Sequence, residues 1–245
     1  MNSGAGTQNR LSSSATHDRA YVLHSVPYKE TSLIVELFTQ QHGRLPVIAK
    51  GAKRKHSQLR GVLVHFQPLE VRFSGKSEVK TLQNAEWEGG MLAPEGRSLF
   101  AAYYLNEILI LGLKRDDPHP DLFVLYQDTL ARLSRGEDMN LVIRRFELQL
   151  LADLGFGLDF TSDREGRPLK SVGLYKLDPE SGWFEAQSYV GQTVKGQMLI
   201  ELGQGLMTLE TAQALKGLTR QMLSVHVAPN GLLSRTWMEQ LVKND

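Results

Sequence analysis

Five cations, Lys50, Lys53, Arg54, Lys55 and Arg60, stand with His56 in the run Val47–Gly61 (VIAKGAKRKHSQLRG), which contains no acid. Side chains of one sign at this density repel each other, and that cost is recovered when a polyanion neutralises them. The chemistry such a run offers is therefore phosphate binding. Arg44, Arg72, Lys76 and Lys80 add cations from the segments on either side. Tyr21, Tyr28, Phe38 and Phe66 lie in the same third of the chain, as base-stacking platforms if exposed and as core if not.

A second group is Arg144-Arg145 within Ile-Arg-Arg-Phe-Glu-Leu. On a helix Arg144 and Glu147 are three residues apart and can pair. Arg144 also lies on the side of Leu148 and Leu151, so a cation beside apolar surface suits a peptide carrying carboxylates and a hydrophobic anchor. Both readings stay open on spacing alone.

Bond-making chemistry finds little to work with. The seven histidines show no H-x-x-x-H spacing, and neither G-x-S-x-G nor G-x-x-x-x-G-K-[ST] is present. The chain has no cysteine, which excludes thiol catalysis, disulfides and cysteine-ligated zinc. Asp116-Asp117 and Asp159…Asp163 read as solvated acids. A nuclease using Asp116, Asp117 or Glu107 with a metal is the enzymatic rival, and cleavage of labelled DNA in magnesium or manganese is its test. No cofactor is expected and the chain reads as a non-enzyme.

The elements that must carry these groups follow from periodicity. Arg19–Val26, Thr31–Thr39, Leu45–Ala49, Pro68–Phe73 and Glu78–Trp87 read as strands, with Gly43 and Ser74–Ser77 in turns. Five short strands in so little chain fit a small closed barrel of the OB type, spanning 19–88, with the basic run as one of its loops. Gly89-Gly90 and Pro94–Gly96 form a linker. Ser98–Lys114, Asp121–Arg135, Glu137–Leu154, Gln192–Leu202, Thr208–Val227 and Leu232–Val242 then read as helices of a bundle over 96–245. Residues 156–190 read as an irregular insert with short β-like pieces, and residues 1–18 as a disordered leader. The fold class is α+β with two domains.

The 245 residues, 41% apolar and 22% charged, are ordinary for a soluble globular protein. No run of about 20 apolar residues suggests a membrane span. The net charge of +1 hides a division: residues 1–82 hold 12 Lys/Arg against 5 Asp/Glu, and residues 83–245 hold 16 against 22. A basic part joined to an acidic part hints at polyanion binding. An RNA- or ribosome-associated OB protein shares barrel and charge, and a comparison of structured RNA with protein-coated DNA separates the two.

The residues also resemble a known family. Tyr21–Ser25, Tyr28–Leu33, Phe38-Thr39…Gly43-Arg44 and Ala49–Ala52 are similar to the opening of the bacterial recombination mediators of the RecO family. The likeness continues through Phe66–Leu69, Glu78–Leu82, Tyr104–Glu107, Arg144–Leu148 and Leu154–Phe156. It covers about residues 19–160. The resemblance implies an OB-fold followed by a helical domain and a non-enzymatic activity in the cytoplasm, at the nucleoid. That activity comprises binding single- and double-stranded DNA, annealing complementary strands, and helping RecA onto DNA coated with single-strand-binding protein (SSB). It implies RecR and the acidic SSB tail as partners, and a contact between that tail and Arg144. Many relatives carry a four-cysteine zinc module after the Leu-Gly-Phe segment; here Asp159–Asp163 stand there, so ordinary packing must hold 156–190.

Overall fold

The computed structural model describes residues 15–90, 92–188 and 191–236. Strands β1 (Thr16–Tyr28), β2 (Ser32–Thr39), β3 (Gly43–Ala49), β4 (Leu69–Ser74) and β5 (Lys80–Trp87) form a closed barrel in the order β1-β2-β3-β5-β4. All pairs are antiparallel except β3–β5, joined in parallel at Val47↔Lys80 and Ile48↔Thr81. A single turn of helix, α1 (Leu59–Val62), connects β3 to β4. This is the OB-fold expected from the strand pattern. Alternation sets its core: Val35 and Leu37 face Leu45 and Val47, with Leu69, Val71 and Phe73 inward and Glu70 and Arg72 outward.

The domain begins earlier than the sequence suggested. Thr16 and Asp18 pair with Phe73 and Val71 of β4, so residues 16–18 belong to the barrel and not to a leader. Asp18 is buried, and its carboxylate accepts from Gln41 N at 3.0 Å and lies 2.7 Å from His42 Nδ1. A polar strand start, solvated to the eye, is thus anchored by the β2–β3 turn. The rest of the expected leader, residues 1–14, lies outside the described residues. The strand also runs past Pro27 to Tyr28, in a stretch whose other edge has lost β4 as partner, where proline is tolerated.

The helical domain comprises α2 (Arg97–Gly112), α3 (Pro120–Ser134), α4 (Met139–Asp153), α5 (Gly196–Gly203) and α6 (Leu209–His226). Asp138 caps α4 by accepting from the N–H groups of Asn140 and Leu141, so that helix starts two residues after the expected Glu137. Of the last expected helix, 233–236 are helical and the remainder lies outside the described residues. Helix α2 is the buried centre, as its nearly continuous apolar sequence implied.

Barrel and bundle share one core. Tyr21 of β1 and Phe38 of β2 pack on Phe123 and Tyr126 of α3, with ring centroids 5.1–6.0 Å apart. Buried Asn106 of α2 donates to the carbonyls of Leu23 (3.0 Å) and Val22 (3.4 Å), and its own oxygen accepts from Tyr126 OH at 2.5 Å. Gly43, at φ +68°, lies so close to the next layer that a Cβ there would sit 2.0 Å from the Asp117 carbonyl oxygen. No side chain fits that approach.

The insert is more ordered than expected. Strands β6 (Leu174–Asp178), β7 (Gly182–Glu185) and β8 (Val194–Lys195) form a small sheet in the order β7-β6-β8. Aspartates hold the turns of the insert. Asp163 accepts from the N–H groups of Glu165 and Arg167 and from Arg167 Nε; Asp159 accepts from Thr161 N, Thr161 Oγ1 and Ser162 Oγ; Asp178 accepts from Glu180 N, Ser181 N and Ser181 Oγ. Buried Trp183 and Tyr175 fill the space behind them. Hydrogen-bonded carboxylates thus brace the insert.

That bracing is acid-labile. The hydroxyls of Ser162 and Thr161 and the Thr161 amide favour the ionised form of Asp159 and lower its pKa to about 2, from 3.8. Asp163 and Asp178 are lowered as well, Asp163 by Arg167 against the opposing effect of desolvation, and Asp178 by the Ser181 amide and hydroxyl. A depressed carboxylate contributes its stability above the unfolded-state pKa and loses it as pH falls through the folded value. Emission from Trp183, isolated by changing the other two tryptophans (Trp87→Phe and Trp237→Phe), is therefore expected to shift red between about pH 4 and pH 2. Asn at 159 or 163 reproduces the shift at neutral pH. An unchanged spectrum down to pH 2 refutes this account.

Candidate nucleic-acid and peptide-binding surfaces

Strand β3 delivers the chain into the basic run, which is pinned at few points. Ala52 is buried in the barrel core, and Lys53 N donates to Thr31 O of the β1–β2 turn at 2.9 Å. Arg54 N and Ser57 N close successive turns onto Gly51 O and Arg54 O, and α1 follows. With the backbone fixed this way, Lys50, Lys53, Arg54, Lys55 and Arg60 project outward and are exposed. No carboxylate of the described residues pairs with any of them. Arg72 on the outer face of β4 and Lys76 in the β4–β5 turn are exposed as well.

Two of the expected cations are placed differently. Arg44 is largely covered; its Nη1 lies 2.5 Å from Glu36 Oε1 and its Nε donates to Leu113 O at 2.9 Å. Lys80 Nζ donates to Ser77 O at 3.1 Å and lies 3.5 Å from Asp116. Both brace the junction with the helical domain, because the outer face of the barrel is covered there by the chain after α2. The aromatic platforms divide similarly. Tyr21, Phe38 and Phe66 are buried, whereas Tyr28 stays partly open with Lys29 Nζ 5.3 Å from its ring centroid. Lys29, exposed in the turn that holds Lys53, was not singled out from sequence; a lone lysine followed by Glu30 carries no charge pattern.

Arg144 is buried, 7% exposed, in the helical domain. Its Nη1 pairs with Glu147 of the same helix and donates to Thr219 Oγ1 of α6 at 2.6 Å. Glu147, itself 1% exposed, also accepts from Tyr104 OH of α2. Burial and the neighbouring Glu147 push the Tyr104 phenol well above its ordinary range, so it stays a donor. The intrahelical pairing anticipated from spacing is therefore real, yet the buried Arg144 Nε has no partner among the described residues, and the Arg144 side chain lines a cavity of about 310 Å³. Lys216, Arg220 and Arg235 line that cavity with Arg144, against the single carboxylate of Glu147. The arrangement attracts anions and offers Ile143 and Met139 as apolar wall. Lys216 and Arg220, one turn apart on α6, were missed in the sequence because nothing local places α6 beside α4.

The acids considered for a nuclease do not converge. Glu107 accepts from Leu233 N, Ser234 N and Ser234 Oγ; Asp116 lies beside Lys80; Asp117 Oδ2 is 3.7 Å from His119 Nε2. Among the described residues no three acids, histidines or cysteines form a metal-sized group. No helix among them is long and apolar enough to cross a membrane.

The sequence of barrel and first helices matches a known pair of family profiles. The one described as Recombination protein O N terminal covers residues 14–91, and the one described as Recombination protein O C terminal covers residues 94–171. The chain belongs to the RecO family. It is 41% identical over 232 residues to the DNA repair protein RecO of Azoarcus sp. (strain BH72), covering 91% of this chain and 95% of that protein. It is 42% identical over 227 residues to the DNA repair protein RecO of Nitrosospira multiformis, covering 90% and 93%. With the RecO protein of Thiobacillus denitrificans the identity is 36% over 237 residues, 93% of each chain. The RecO profiles meet near residue 92, where the barrel gives way to α2. The resemblance read from the motifs is thereby established.

Proposed function

We propose that this protein is a DNA-repair mediator of the RecO type. It binds single- and double-stranded DNA through the basic loop, anneals complementary strands and helps RecA onto SSB-coated DNA in the cytoplasm. The observation that carries this reading is the exposed, unpaired set Lys50, Lys53, Arg54, Lys55 and Arg60 on an OB barrel. Phosphates give such a set affinity with little sequence preference. Arg72 and Lys76 extend the same basic surface, while Arg44 and Lys80 act through the junction that holds it. The cationic cavity at Arg144 takes the acidic tail of SSB, with Lys216, Arg220 and Arg235 as the outer cations. RecR is the further partner in this reading. Relatives described as DNA repair proteins favour DNA over RNA as the polyanion. The test is annealing of complementary oligonucleotides precoated with SSB. Purified protein is expected to accelerate annealing, and a rate equal to the protein-free control refutes the proposal.

A further inference from the structure

Where β1 meets α2, a cavity of about 590 Å³ opens beside the barrel, within the roughly 300–1,000 Å³ range of ligand clefts. Its wall is formed by Leu23, His24, His65, Tyr103, Ile110 and Leu111. The aromatic groups form a cluster: His65 and Tyr103 are 5.4 Å apart, and Tyr103 meets Phe66 edge-on at 4.9 Å. Besides Ser25, three other polar side chains at the wall, Asn106, Glu107 and Ser234, are already engaged. Asn106 holds β1 and Tyr126, and Glu107 caps the segment at Leu233 and Ser234. His24, His65 and Tyr103 make no side-chain hydrogen bond among the described residues, so they present ring faces without a fixed donor–acceptor code. Burial and nearby His24 lower the pKa of His65, which keeps that ring neutral at physiological pH.

The position of the cavity says what reaches it. The basic loop leaves through α1 directly into His65, which bridges to Val22 of β1. At its other end the loop is tied to the turn after Tyr28, about 13 Å along β1 from His24 at roughly 3.3 Å per residue. The loop that carries Lys53 and Arg60 is therefore tied at one end to the turn after β1 and runs at the other into the wall of an aromatic hollow. The hollow's one carboxylate among the described residues, Glu107, is held by Leu233 and Ser234. Backbone-tracking cations beside ring faces are how proteins hold single strands without reading sequence.

We propose that this cavity receives one unstacked base of the single strand whose phosphates lie on the basic loop. The inference rests on the DNA-binding reading and adds a stacked base to it. A base in the cavity cannot pair, so the protein would distinguish single strands from duplex there even though phosphates are common to both.

The test compares the full chain with Tyr103→Ala, and with His24→Ala on the exposed rim, for binding to three ligands. These are oligothymidylate, a fully abasic oligonucleotide of equal length, and a blunt duplex. Loss of a stacked base is expected to weaken thymidylate binding roughly tenfold for Tyr103→Ala. His24→Ala is expected to give a smaller loss, and abasic and duplex affinities are expected to stay unchanged. Unchanged thymidylate affinity in both variants overturns the inference and leaves the cavity to an apolar side chain of a partner protein. An equal loss on all three ligands also overturns it, because the variants then act through phosphates or fold. Failure of the parent protein to bind any of the three defeats the DNA-binding reading itself, and this inference with it.

Discussion

Replacing Arg144 by Ala is expected to cost about 3–5 kcal/mol of stability, the usual consequence of stranding one member of a buried ion pair. Glu147 would keep its hydrogen bond from Tyr104 but lose the guanidinium of Arg144 while 1% exposed. Thr219 Oγ1 would lose the bond that ties α6 to α4. Urea unfolding measures the loss. The paired replacement Arg144→Met with Glu147→Leu should recover part of it, since removing both charges leaves no buried charge stranded, although Tyr104 OH loses its acceptor. A single Ala variant as stable as the parent would show that the pair is not buried as described. The same geometry changes how the peptide-binding reading must be tested. Arg144→Ala disturbs fold and ligand together, whereas exposed Lys216 and Arg220 bear little on the fold. Their double Ala variant is expected to lose affinity for an SSB tail peptide without a change in unfolding midpoint. Undiminished peptide binding would remove the cavity from the proposed function.

Changing Lys53, Arg54 and Lys55 together to Ala should lower the log–log salt slope of single-stranded DNA binding by about 2, from roughly 0.7 per phosphate no longer neutralised. Affinity should fall most at low salt, where released counterions contribute most. These side chains are exposed and unpaired, so the melting temperature should hold. Arg44→Ala is the informative contrast. It frees the Leu113 carbonyl and leaves Glu36 with Arg115 alone, so its first effect is on stability. If the triple variant keeps the parent's slope, the loop does not carry the phosphates.

The barrel was legible because its strands alternate with period two, and the bundle because α3, α4 and α6 carry clear apolar stripes. The basic loop was legible because charge without acid is a local property. The covered placement of Arg44 and Lys80 was not legible for the complementary reason. An outward position on a barrel strand reads as solvated, and only the tertiary placement of Leu113 and Asp116 covers it. The insert's strands are too short, two to five residues, for periodicity to register, and its order comes from aspartate-held turns. The cationic cavity needed contacts across 75 residues of chain, from Arg144 to Thr219, which no window of sequence contains.

Gly43 seats the β2–β3 turn directly against the backbone at Asp117, and the aromatic cluster of Tyr21, Phe38, Phe123 and Tyr126 packs barrel on bundle. Two ligands held by such a body are held at a constant separation. With DNA on the loop and a DNA-bound partner's tail in the cavity, the second engagement becomes intramolecular, and its strength depends on the partner's tether and not on any flexibility here. Avidity in this protein is then a matter of spacing: lengthening or shortening a partner's tail should tune the complex as effectively as changing a contact.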